Sequence, residues 1–424
     1  MTFLCSPEEN PIIPVPGYCG GDSMTVQALE ARRLLSTAVV TSGVLTITGT
    51  DANNYVSMNF NGALNRVSVN DSTAGAPSKL LGSFNPATFT KINVKLLAGN
   101  DYLSIAYINV KPMTIDAGAG NDNVAGGDGN DSILGGLGDD YITASKGNDL
   151  ADGGDGNDNI LGGLGNDNLK GGVGSDVIGG QQGNDLIDGG TSGDQLRGGE
   201  GIDTVTYASR TKPLVVDITD SPAELPDDGE VGEKDFVHSD VENVIGGSGN
   251  DKLTGTVLIG TLFAGFTKNN QLTGGAGKDS LLGLDGDDVL NGGLGNQDQL
   301  LGGSGIDTAS YAGRIDNLKL TLDGLFNDGA IGENDQIGPD IENVTGGNGN
   351  DTIVGSAVAN ILRGGSGNDS ITGGAGVDQL FGEAGNDKLF ARDTSNDKVD
   401  GGAGIDAAQT NAGDVKTTIE LIIP

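Results

Sequence analysis

The sequence predicts an all-β chain wound as a parallel solenoid. Three observations predict it. Ten nine-residue units run without a gap from Ala117 to Thr206, beginning AGAGNDNVA, GGDGNDSIL and ending GGEGIDTVT. All ten carry Asp at the sixth place, nine carry Gly at the fourth, and nine carry Val, Ile or Leu at the eighth, with Ala151 the exception. Two more blocks of such units follow, divided by two inserts, and ahead of the first block residues 43–95 alternate apolar and polar residues at the strand period.

One unit explains the whole. In GGDGNDSIL, residues 126–134, the glycines permit positive φ and close backbone approach, so the first six residues are expected to form a tight turn. The last three, Ser132 to Leu134, are expected to be extended, with Ile133 directed to one face. Two units complete a coil of eighteen residues, and stacked coils bring unit n beside unit n+2. Asp122, Asp140, Asp158, Asp176 and Asp194 then form one column, and Asp131, Asp149, Asp167, Asp185 and Asp203 the other. Asp194, whose unit has Ser192 in place of Gly, is expected to end its column. Carboxylates stacked roughly 5 Å apart repel, and a hard divalent cation between coils removes the repulsion. Turn-capping alone does not explain the pattern, because Asn and Ser cap turns as well as Asp does.

The unit resembles the calcium-binding nonapeptide G-G-x-G-x-D-x-U-x of RTX proteins, where U is a large aliphatic residue. The resemblance implies a parallel β-roll or β-helix solenoid that binds Ca2+ through aspartate carboxylates and turn carbonyls. Carried onto this chain, it implies as ligands the ten aspartates above with Asp251, Asp279, Asp288, Asp298, Asp307, Asp351, Asp369, Asp378, Asp387, Asp397 and Asp406. It also implies carbonyls of turn glycines such as Gly127, Gly129, Gly136, Gly138, Gly154, Gly156, Gly163, Gly165, Gly172 and Gly174. Asn270 and Asn360 stand where the pattern has Asp.

The elements follow in order. Residues 1–42 are a tail in which LEARRLLST, 29–37, resembles the LEPR-xLxA export tag of planctomycete surface proteins; a short amphipathic helix is the alternative, and Met24 is a candidate start. Cys5 and Cys19 both fall in this tail and would not staple the repeats. Residues 43–95 are expected to cap the solenoid, which must hide its core at the end. Block one spans 96–206 and begins with an isolated unit, LLAGNDYLS. Insert one spans 207–245, block two 246–310, insert two 311–345, block three 346–409, and a tail 410–424. Block two loses register over 255–264. The inserts match in YASR and YAGR, and in DVENVIGG and DIENVTGG, so the chain carries an internal duplication. They read as structural excursions from the roll; a sharper reading makes Glu233, Asp235, Asp240 and Glu242 an additional cation site. The tail reads as a last strand or as a type I secretion signal.

Composition bounds the function. The net charge is −36, from 59 acidic and 23 basic residues, and there are 76 glycines and no tryptophan. Such a chain does not collapse unaided, so folding is expected to be coupled to metal. Pairing n with n+2 gives at most about sixteen calcium ions, or about +32 of charge, which nearly balances the chain. The acidity argues against nucleic acid, and no stretch has the length of a transmembrane helix. The only histidine, His238, excludes an H-E-x-x-H zinc site, and its neighbours Ser239 and Asp240 point apart in an extended segment. We read no catalytic domain. The expected protein is a secreted or cell-surface calcium-binding roll with a structural, adhesive or matrix role. The alternatives are an extracellular polysaccharide-acting enzyme or an adhesin that binds cell-surface or matrix glycans through the inserts.

Overall fold

The structure is a computed structural model and describes residues 36–61, 64–72, 78–106, 111–218, 227–256 and 269–423. Cys5, Cys19, Met24, most of the tag at 29–37 and most of the stretch that loses register lie outside them.

The described chain is all-β and coils as a parallel solenoid. Units pair at a spacing of two, as in Ile133 beside Ala151 and Ala151 beside Leu169 on one side, and Ile142 beside Ile160 on the other. The eighteen-residue coil follows directly from that register. Eighth-place side chains meet between the two walls. Val124, Ile142, Ile160, Ile178 and Leu196 face Ile133, Ala151, Leu169, Ile187 and Val205, and none is more than 2% exposed. The core is one aliphatic side chain deep from each wall, so every coil depends on the coils above and below it.

The strands are longer than the repeat implies. From Asn123–Asp128 to Gln195–Glu200 each strand covers six residues, such as Ser132–Leu137 and Asn159–Leu164, so it takes the last three places of one unit and the first three of the next. The turn is confined to the fourth to sixth places. The glycine at the second place keeps a positive φ inside this extended run, and the third residue still pairs with the coil above, as Leu137 does with Asp155.

One wall is a continuous sheet of 18 described strands. The opposite wall is split into sheets of 10, 7 and 6 strands, and both breaks fall at the inserts. At the N-terminal end Val44–Thr50 and Tyr55–Asn61 pair in parallel with Lys91–Leu97 and Tyr102–Ala106. Antiparallel strands Thr37–Thr41, Arg66–Ser72 and Lys79–Phe84 flank them and end the parallel stack. At the other end Val415–Thr417 and Leu421–Ile422 continue the two walls, so the C-terminal segment forms a last coil.

Candidate metal centre

The sixth-place aspartates stand inside the roll, between stacked turns. Asp122, Asp131, Asp140, Asp149, Asp158, Asp167, Asp176, Asp185, Asp194 and Asp203 are each at most 3% exposed. Each accepts, through Oδ1, a backbone amide of the coil before it. In the first column Asp140 receives the Asp122 amide, Asp158 that of Asp140, Asp176 that of Asp158 and Asp194 that of Asp176, at 2.7–2.8 Å. In the second, Asp131 receives the Met113 amide, and Asp149, Asp167, Asp185 and Asp203 continue the series at 2.7–2.8 Å.

The other oxygen decides the chemistry. Oδ2 of all ten is buried without a hydrogen-bond partner, and so is Oδ2 of Asp279, Asp288, Asp298, Asp307, Asp369, Asp378, Asp387, Asp397 and Asp406. A buried carboxylate oxygen with no partner carries a desolvation cost that a proton or a cation must relieve. Burial accordingly raises the ten acids of the first block from 3.8, against the lowering effect of the donated amide. Asp194 is pushed up to about 8, Asp131, Asp140 and Asp203 to about 7, and Asp122, Asp149, Asp176 and Asp185 to about 6. Column neighbours push the same way, Asp122 and Asp158 on Asp140 for example.

Backbone oxygens line the same space. The first-place glycines pack against Oδ2 of their own unit and the carbonyl of the first-place glycine one coil on, as Gly135 does with Asp140 and Gly153. The second- and fourth-place glycines have φ between +99° and +146° at Gly127, Gly129, Gly136, Gly138, Gly154, Gly156, Gly163, Gly165, Gly172 and Gly174. From Gly136 onward in that set, each sits directly on a carbonyl of the coil before it, so that a methyl would overlap, as at Gly136 over Gly118. Among the described residues no three His, Cys, Asp or Glu side chains converge as a metal group. A cation between two turns would therefore take carboxylate oxygen from the ladder and complete its shell with carbonyls and water. An all-oxygen shell in a flexible turn suits calcium, whereas magnesium requires a smaller, stricter octahedron.

The ladders run further than the motif. Asp101 of the isolated unit donates its amide to Asp122 and has its own bare, buried Oδ2. The first column does not end at Asp194, whose amide donates to Asp235 Oδ1 at 3.0 Å. Asp203 donates to Glu242 Oε2 at 2.8 Å, and at the C-terminal end Asp397 and Asp406 donate to Asp414 and Glu420. Motif spacing could not show these continuations, because the inserts place 41 and 39 residues between partners. Exposed fifth-place asparagines add an outer ladder, such as the Asn148 amide to Asn130 Oδ1 at 3.1 Å.

The four insert acids do not form one site. Asp235 serves the first column and Glu242 the second, while Glu233 accepts the Glu230 amide at 2.8 Å and Asp240 the Gly198 amide at 3.2 Å. Asp251 and Asp351, which the motif counts as ligands, differ from the rest: their Oδ2 accepts the amide of Gly247 or Gly347. His238 packs edge-on against Phe236, ring centroids 4.1 Å apart. Among the described residues no helix is long and apolar enough to cross a membrane.

The profile of the RTX calcium-binding nonapeptide repeat matches residues 116–205 in overlapping copies, and again 239–256, 265–296 and 338–389. No curated protein matches the chain.

Proposed function

We propose, for a chain that is an RTX calcium-binding nonapeptide-repeat protein with a parallel β-roll, that calcium is the event that folds it and that it works outside the cell as a structural or adhesive element. The observation that carries this reading is the file of buried Oδ2 atoms with no partner. Calcium between turns neutralises them, and binding free energy becomes folding free energy. The ions are held by the column aspartates and by carbonyls of the turn glycines, up to about sixteen in all. Extracellular modules bind calcium at about 10⁻⁴–10⁻³ M. That matches external fluids, which is why the reading places the protein there, secreted or at the cell surface.

The test is far-UV circular dichroism of the full chain during a calcium titration. Disorder in chelator and cooperative gain of β-structure in millimolar calcium are expected; identical spectra would refute the reading. A screen against matrix and surface glycans then tests the adhesive role.

A further inference from the structure

Each insert closes the turns it meets with donors of the protein itself. The second insert, described from end to end, shows this most fully. Arg314 lies over the turn that leads to Asp298. Its Nη1 donates to the Gly293 carbonyl at 2.9 Å and its Nη2 to Glu333 Oε1 at 2.5 Å, with the side chain 10% exposed. Gly293 is a second-place glycine, so the guanidinium occupies the level where an ordinary coil lays down its next turn. The guanidinium takes up a turn carbonyl that an ordinary coil would cover, while Asp298 Oδ2 beside it stays without a partner.

The other column is closed by an amide. Asn360 stands at the ladder position, and its Oδ1 accepts the Ser356 amide of its own turn at 2.7 Å, as Asp351 Oδ2 accepts that of Gly347. Its Nδ2 donates to the Glu342 carbonyl at 2.7 Å. An aspartate there presents a bare oxygen; asparagine presents hydrogens and needs no metal. Asp351, in the turn that re-enters the roll, spends Oδ1 on the Leu318 amide at 2.8 Å and Oδ2 on the Gly347 amide at 2.7 Å.

The first insert repeats the arginine–glutamate pair, the asparagine closure and the re-entry turn. Arg210 pairs with Glu233 at 3.3 Å, both side chains nearly buried. Asn270 Nδ2 donates to the Glu242 carbonyl at 2.9 Å, and Asp251 Oδ2 accepts the Gly247 amide at 2.8 Å. Here the hydroxyl of the buried Tyr207 also donates to Asp235 Oδ2 at 3.0 Å, so that ladder oxygen is satisfied without a cation. The last repeat aspartates before each insert, Asp194 and Asp203 ahead of the first and Asp298 and Asp307 ahead of the second, keep a bare Oδ2.

We infer that the two inserts, each with the turn by which the chain re-enters the roll, are calcium-independent joints that fold before the metal arrives and divide the roll into three separately loaded segments. The inference rests on the calcium reading above and adds where calcium is not needed. A joint already folded offers its neighbours a finished coil on which to stack, which removes the cost of starting a solenoid from nothing.

Hydrogen exchange of the full-length chain, read by mass spectrometry in chelator and in millimolar calcium, tests this. In chelator, peptides from 314–322 and 335–354 are expected to exchange at least about tenfold more slowly than peptides from 132–173 and 370–391. In calcium the difference closes. Joint peptides that exchange as fast as repeat peptides in chelator, with calcium protecting both, overturn the joints and leave calcium-coupled folding standing. Repeat peptides equally protected in both buffers overturn both readings. The double variant Asn270→Asp, Asn360→Asp provides the second arm. Its joints are expected to lose protection in chelator and regain it in calcium, and equilibrium dialysis should show more calcium bound per chain. Unchanged protection of that variant in chelator overturns the inference.

Discussion

The amide of Asp158 donates to Asp176 Oδ1 across one coil at 2.7 Å, while Asp176 Oδ2 is buried with no partner. Half of each carboxylate thus stitches two coils together, and the other half waits for a charge. The two halves predict separable effects of mutation.

Replacing Asp158 with Asn keeps the Oδ1 acceptor and removes the ionisable oxygen. Calcium binding is expected to weaken by about 1–3 kcal/mol at the affected turns, the scale for losing one partner of a charged contact. Stability in chelator is expected to hold or rise. Asp251→Asn, whose aspartate has both oxygens bonded to backbone amides, is expected to leave the calcium midpoint nearly unmoved. Equal shifts of the two midpoints in a calcium titration would contradict the distinction.

Acid is expected to replace calcium in part. The ladder acids have folded-state values raised above 3.8, to about 6 at Asp122 and Asp176, about 7 at Asp140 and about 8 at Asp194. A raised value means that the folded state prefers the proton. The stability it supplies is complete below about 3.8 and is lost as pH rises through 6 to 8. Far-UV circular dichroism in chelator is expected to show more β-structure at pH 5 than at pH 8. With calcium bound this trend is expected to vanish, since the ion and the proton compete for the same oxygens. A β-content in chelator that rises with pH would rule this out.

Gly154 has φ +110° and rests on the Gly136 carbonyl, where a methyl overlaps, while Gly179 has an ordinary φ and 3.5 Å of clearance from Leu161. Gly154→Ala is expected to cost several kcal/mol, from left-handed strain together with displaced coils. Gly179→Ala is expected to fall within about 0.5 kcal/mol of the parent. Denaturation in saturating calcium reads both.

Ile160 is fully buried between the walls, whereas Leu164, at the third place of the next unit, is 43% exposed. Truncating Ile160 to Ala is expected to cost about 2–5 kcal/mol in the calcium-loaded protein. Leu164→Ala is expected to cost less than about 0.5 kcal/mol. A comparable loss at both positions, read in the same melts, would show that the core is not confined to the eighth place.

The coil, its register and the paired walls were legible in the sequence, because the period of nine repeats the same side chain at the same height. The aspartate columns followed from that period. Strand length was not legible: glycine at the first and second places reads as turn, yet stacking holds those residues extended, as in Ser132–Leu137. Nor were the ladder roles of Asp235, Glu242, Asp335 and Glu342, since no fixed spacing links them to the turns they join. Asp101 could have been found, because its unit carries the sixth-place Asp in sequence, although it stands apart from the block. Asp251 and Asp351 were the reverse case. They fit the motif, but the coil below them is insert strand, so their oxygens meet amides that an ordinary repeat does not offer.

The unbroken wall of 18 strands sets how the molecule bears load. Its hydrogen bonds run along the long axis of the solenoid, so a pull on the two ends draws strands apart face-on and opens the roll coil by coil, as a zipper opens. The wall opposite is interrupted at both inserts and shares little of that tension there. Under the calcium reading, ions seated between turns would lie along the same axis and act as rivets. On that reading calcium supply would set the tensile strength of the roll as well as its shape, and a local fall in calcium would let the metal-filled segments give way first.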